Sequence, residues 1–125
     1  MNTSVSTPKG VVRRWVAAFN AGDADALSAL YHDDATDHQV ALEAIHGREA
    51  IRDFFAGEIA SAKMECVPVN LFEDGEWAIL EWKDPNGMLG STFFQVIDGR
   101  IKLARGYWDR LSAAQAQAEP QPSKD

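Results

Sequence analysis

Cysteine is almost absent from the chain, where Cys66 stands alone. A single thiol cannot close an internal disulfide, so packing must hold the fold, and nothing argues for an oxidising compartment; a cytoplasmic location is the expectation. Positive charge is scarce as well. Lys and Arg number 12 against 19 Asp and Glu, a formal charge of −7, which works against adhesion to nucleic acid or to an anionic membrane, and neither is expected as a partner. No stretch approaches the roughly 20 apolar residues of a membrane span, and the polar segment from Met1 to Gly10 lacks the apolar core of a signal peptide, so a soluble, unexported chain is expected. There is no glycine-rich phosphate loop, no Cys-x-x-Cys pair and no Gly-x-Ser-x-Gly elbow, and no cofactor is expected. His32, Asp33 and Asp34 are neighbours at a helix exit; such residues do not converge on one ion, so they read as a solvated turn and no metal is expected.

What remains is the balance of one globular domain: 125 residues, 46% hydrophobic and 10% aromatic. A chain of this size can bury roughly 68% of its unfolded surface, enough for a core with room for a pocket.

Thr7 as N-cap and Pro8 in the first turn open a helix that runs to about Ala21, with Val12, Trp15, Val16 and Phe19 on one face. Gly22 stops it, and Asp23 caps a short second helix through Leu30. Ala35 to Val40 reads as a strand, 41–46 as a loop, and Arg48 to about Ala62 as a third helix with Ile51, Phe54, Phe55 and Ile59 aligned. Beyond it, β-branched and aromatic residues cluster between turn signals. Strands are expected over Met64–Phe72, where Pro68 suggests a bulge or an exposed edge, then Trp77–Lys83, Met88–Ile97 and Arg100–Asp109, the last two joined by a two-residue turn at Asp98-Gly99. Helices followed by an antiparallel meander indicate an α+β domain, with helices packed on one face of a curved sheet that can enclose a conical hollow. The domain is expected over 1–111, with 112–125 as a flexible C-terminal extension rich in Ala, Gln and Pro.

The order of these elements and several local patterns resemble the NTF2-like superfamily, and within it the SnoaL-like, polyketide-cyclase-like branch. The resemblance rests on Trp15 to Asp23, Leu30 to His38, His46 to Ile51, Asp98 to Ile101 and Gly106 to Leu111. It implies a cone of about three helices on a curved, mainly antiparallel sheet enclosing a pocket, often in a homodimer formed through the outer sheet face. It does not select a reaction, since cyclases, isomerases, epoxide hydrolases and non-enzymes share the fold.

Candidate site residues follow from strand alternation. Asp109 shares a face with Ile101, Leu103, Arg105 and Tyr107. If that face lines the hollow, desolvation raises the carboxyl pKa and suits Asp109 to acid/base work, the role the resemblance implies for an aspartate near the end of this strand. If Ala104, Gly106 and Trp108 line it instead, Asp109 loses that role. His38 is the second catalytic candidate, able to donate to a developing enolate; alternation sets Asp37 and Gln39 opposite to it. Arg105, if inward, needs a carboxylate partner. An aspartate–arginine–aspartate set would resemble the limonene-epoxide-hydrolase branch, but the second inward aspartate is not evident and Asp37 is a weak candidate. Trp15, Trp82, Phe93 and Tyr107 offer flat surfaces for a small apolar or aromatic molecule, and the Gln95 amide seeks a partner that a ligand carbonyl could supply. The reading is a SnoaL-like small-molecule-binding protein, with cofactor-free cyclase or isomerase chemistry on an apolar carbonyl compound. Its rivals are a non-enzymatic ligand-binding or dimerisation module and an epoxide-hydrolase-like enzyme.

Overall fold

The computed structural model describes residues 6–61, 65–109 and 111–112; the extension expected over 112–125 lies almost entirely outside them. Helix α1 (Pro8–Ala21) opens as expected: the Thr7 side chain accepts from the Gly10 N–H at 3.1 Å, and the helix ends at Gly22. Helix α2 (Ala24–Ser28) is capped by Asp23, whose carboxylate accepts from the Ala26 N–H at 3.0 Å. Helix α3 spans Arg48–Ser61. The strands are β1 (Tyr31–Gln39), β2 (Ile45–His46), β3 (Val67–Asp74), β4 (Trp77–Lys83), β5 (Leu89–Ile97) and β6 (Arg100–Trp108).

These strands form one sheet in the order β2-β1-β6-β5-β4-β3. The meander of β3 to β6 is antiparallel, β1 joins β6 in parallel, and β2 pairs antiparallel with the outer side of β1. The expected α+β class, with three helices on one face of a curved sheet, is the observed one. Pro68 lies on the edge strand β3, beside a register shift between Pro68 and Asn70, so the missing N–H costs no interior ladder bond. Asp98 and Gly99 both have positive φ, as a two-residue hairpin turn requires.

Three expectations are corrected. Helix α2 stops at Ser28, and β1 begins at Tyr31 rather than Ala35, so His32, Asp33 and Asp34 are strand residues. Asp33 and Asp34 point outward and pair with Arg48 and Lys102; Coulombic partners on flanking elements hold extended a segment whose composition suggests a turn. The loop expected over 41–46 contains β2.

Most important for the site is the bulge in β6. Gln95 pairs with Leu103 and Val96 with Ile101, which leaves Lys102 as an extra residue. One extra residue reverses the alternation. Ile101 is fully buried, and beyond the bulge Ala104 and Gly106 are buried while Tyr107 is exposed. The core lies between the helices and this inner face, around Val11, Val12, Leu27, Ile51, Leu80 and Phe94. Full burial of each larger aliphatic or aromatic side chain contributes about 1.5–3 kcal/mol.

Candidate active site

The inner face of the sheet reads as three rows across the strands. Asp37, Ala104, Phe94 and Ala78 are register partners in the first; Gln39, Gly106, Thr92 and Leu80 in the second; Trp108, Gly90 and Trp82 in the third. A small residue stands within each row, Ala104 and Gly106 on β6 and Gly90 on β5, so the side chains on either side overlook a hollow. A cavity of about 260 Å³ fills it. Trp15 and Phe19 of α1 and Phe54 and Phe55 of α3 form the wall on the helix side, and Asp37, Gln39, Trp82, Thr92, Phe94 and Trp108 the sheet side. Trp15 stacks on Phe19 at 5.2 Å and meets Phe55 and Phe94 edge-on, a rigid aromatic wall.

Asp37 is the polar centre. Its side chain is 1% exposed. Tyr31 Oη donates to Oδ2 at 2.7 Å, and Gln39 Nε2 donates to Oδ1 at 2.8 Å. Trp15 Nε1 donates in turn to Tyr31 Oη at 3.0 Å, completing a chain that crosses from α1 to β1. Burial pushes the Asp37 carboxyl above its ordinary range, and the bonds from Tyr31 and Gln39, with the positive field of His38, offset only part of this. The Tyr31 phenol is driven well above its own ordinary value by burial and by the neighbouring Asp37 charge, so it remains a donor. The rim adds Glu58, Glu65 and Asp84; among the described residues no Lys, Arg or His lines the cavity.

Two glycines let polar side chains lie against the sheet. A Cβ on Gly106 would overlap Oε1 of Gln39, and a Cβ on Gly90 would overlap the Trp82 indole and the Tyr107 carbonyl oxygen. The Gln39 amide and the Trp82 ring therefore rest directly on backbone. Trp82 Nε1 donates to Thr92 Oγ1 at 3.1 Å.

Of the residues singled out from the sequence, Trp15 and Trp82 line the cavity. The others do not come together there. The β6 bulge turns Arg105, Tyr107 and Asp109 to the opposite side: the Arg105 guanidinium lies 5.8 Å from the Trp77 ring centroid, and Phe93 packs edge-on against Tyr107 at 6.0 Å. Gln95 Nε2 finds its partner in Glu76 Oε2 at 2.5 Å. Asp109 is exposed, its Oδ2 accepting from the Ser112 N–H at 2.7 Å. His38 lies on the outward side of β1; its Nε2 is 3.0 Å from the Leu42 carbonyl oxygen and must donate to it, since a carbonyl only accepts. An aspartate–arginine–aspartate set is therefore not assembled around Asp37 by Arg105 and Asp109. Sequence reasoning did not single out Thr92, named Tyr31 and Gln39 without a place in the site, and gave Asp37 only as a weak candidate. The available signal was the alternation Tyr31, Ala35, Asp37, Gln39 on β1. Among the described residues no three His, Cys, Asp or Glu side chains form a group able to hold a metal ion.

Comparison with known proteins agrees with this architecture. An LEH-like epoxide hydrolase of M. tuberculosis superposes with a TM-score of 0.80 at 22% identity, covering 93% of this chain and 96% of its own. The epoxide hydrolase/cyclase-like enzyme SalBIII, of pyran ring formation in salinomycin, gives 0.73 at 22% identity over 84% and 92%. A Sinorhizobium meliloti protein provisionally classed as a polyketide cyclase gives 0.70 at 24% over 77% and 92%. Likeness at these identities speaks for the fold alone. The profile of the SnoaL-like domain matches residues 12–104, and the chain belongs to that family.

Proposed function

We propose that the protein binds a neutral, apolar, carbonyl-bearing molecule in the cavity and moves a proton on it through Asp37, an enolisation of the kind that isomerases and cyclases share. One observation carries this reading: a carboxylate 1% exposed, facing an aromatic-walled cavity, with its acidity lowered by burial. A carboxylate in water is a weak base near neutral pH, and desolvation strengthens it. The Asp37 carboxylate takes the proton next to the carbonyl, the C–H pair forms the new C=C bond, and the carbonyl π pair moves onto oxygen. Returning the proton to another carbon is isomerisation; attack of the enolate carbon on a second carbonyl is aldol-type cyclisation. The acidic rim and the lack of lining cations among the described residues favour a neutral ligand over an anionic one.

The rival is a binding module without chemistry. It draws on the fact that both Asp37 oxygens already accept a hydrogen bond, as a structural network requires. Deuterium uptake into the methyl group of β-acetylnaphthalene in D₂O, followed by NMR, separates the two. Acceleration over buffer that disappears in Asp37→Asn is the expected result; no acceleration by the wild-type protein across a panel of aryl and alkyl ketones would leave the binding module.

A further inference from the structure

Thr92 is 7% exposed, lines the cavity and lies in the same cross-sheet row as Gln39, with Gly106 between them. A hydroxyl has one hydrogen to donate and two lone pairs to accept with. Trp82 Nε1 occupies a lone pair of Thr92 Oγ1, and among the described residues Oγ1 donates its own hydrogen to nothing. The indole that takes the lone pair is held flat on Gly90, so it cannot swing away without leaving that seat. A buried donor without an acceptor is destabilising, and such a group in a cavity wall is a site at which a ligand acceptor is rewarded. The Gln39 amide is similar: one hydrogen of Nε2 goes to Asp37, and the second has no acceptor among the described residues. Gly106, between the two residues in the row, has no side chain, and the Gln39 amide lies over it with Oε1 nearest.

We infer that Thr92, oriented by Trp82, is the residue that holds the ligand's oxygen, with the second N–H of Gln39 beside it. The inference rests on the reading of Asp37 above and deepens it. The Asp37 carboxylate, in the adjacent row, takes the proton, while a hydroxyl and an amide N–H receive the charge that develops on the carbonyl oxygen. It also defines the ligand: a hydrogen-bond acceptor set into an otherwise apolar body, favoured over a hydrocarbon of the same shape.

The test compares β-acetylnaphthalene with β-isopropenylnaphthalene, in which a C=CH₂ group replaces C=O at almost unchanged shape. Affinities come from isothermal titration calorimetry. The wild-type protein is expected to prefer the ketone by about three- to tenfold, the strength of one neutral hydrogen bond. Thr92→Val reduces this preference while alkene affinity is retained, and Thr92→Ser keeps it. Trp82→Phe, which frees the Thr92 hydroxyl to turn, reduces it and decides the matter if Thr92→Val does not fold. Equal binding of the two compounds by the wild type, or an undiminished preference in Thr92→Val or Trp82→Phe, overturns the inference. Deuterium exchange on the same ketone reads Asp37 separately. Exchange without a ketone preference leaves the proton-transfer reading standing and removes the role of Thr92; a Thr92-dependent preference without exchange does the reverse. If neither compound binds, both are lost.

Discussion

Tyr31 and Asp37 stand six residues apart on one strand, yet they form a buried hydrogen bond of 2.7 Å, with the phenol fully buried and the carboxylate 1% exposed. The β1–β6 register explains their proximity. Tyr31 pairs with Ile101 and Thr36 with Leu103, so the longer path on β1 is matched by a shorter one on β6, and the excess chain breaks the regular pleat. Trp15 then fixes the phenol from α1. Holding the carboxylate and staying un-ionised are one property of Tyr31, because the burial that raises the pKa of Asp37 raises that of the phenol as well.

Removing the phenolic oxygen tests that network. Tyr31→Phe deprives Asp37 of a donor and leaves the Trp15 indole N–H without its acceptor, so a loss of about 1–3 kcal/mol is expected. Urea unfolding monitored by circular dichroism, with an unchanged m-value, measures it. A loss below about 0.5 kcal/mol would mean that water replaces the hydroxyl and that the network is not closed.

The acidity of Asp37 predicts a pH dependence of definite sign. Its folded-state pKa lies above the ordinary value of 3.8. Between that value and the raised one, the folded state binds more protons than the unfolded state, so this group's contribution to stability falls as pH rises through the window and levels off above it. The stability of the wild type minus that of Asp37→Asn is therefore expected to decline from about pH 4 upward and then flatten, the other carboxylates cancelling in the difference. Urea midpoints across the range give the curve. A difference that rises with pH would mean that the hydrogen bonds outweigh desolvation. Deuterium exchange, if Asp37 is the base, increases through the same raised pKa.

The helices and the hairpin at Asp98-Gly99 were legible because their causes are local. Val12, Trp15, Val16 and Phe19 repeat at the spacing of a helix face, and Asp-Gly is the natural occupant of a turn with two positive φ angles. The parallel pairing of β1 with β6 has no such local cause, since residues far apart in the chain must first be brought together. The cavity face of β6 was illegible for a sharper reason. Strict alternation from Ile101 places Arg105, Tyr107 and Asp109 inward, and the bulge at Lys102 reverses every one of them. On β1 the alternation that separates Asp37 and Gln39 from His38 was visible; what it could not supply was which of the two faces the helices cover.

Gly106 and Gln39 are predicted to be energetically coupled. The Cβ introduced by Gly106→Ala overlaps Gln39 Oε1, and the amide must leave its seat or the strands must separate. Overpacking of this kind costs about 1–3 kcal/mol. In a Gln39→Ala background the obstructing atom is gone, so the same substitution is expected to cost less than half as much, a coupling readable by a double-mutant cycle in urea. Additive losses would show instead that the alanine clashes with backbone alone.

Cys66 offers a chemical readout of the cavity because it is the chain's one thiol. It is 6% exposed and lines the cavity, and burial pushes its pKa up to about 12. Only the thiolate attacks a disulfide reagent, so at pH 8 its reactive fraction is about a thousandfold below that of an ordinary thiol with a pKa near 8.5. Dithionitrobenzoate is therefore expected to label the native protein at least a hundredfold more slowly than free cysteine, and to label one thiol per chain promptly in urea. A bound ketone that fills the cavity should slow the native rate further. Fast labelling of the folded protein would show that the cavity opens to solvent at Cys66, and with it that the carboxylate of Asp37 is not held in the dry environment its raised pKa requires.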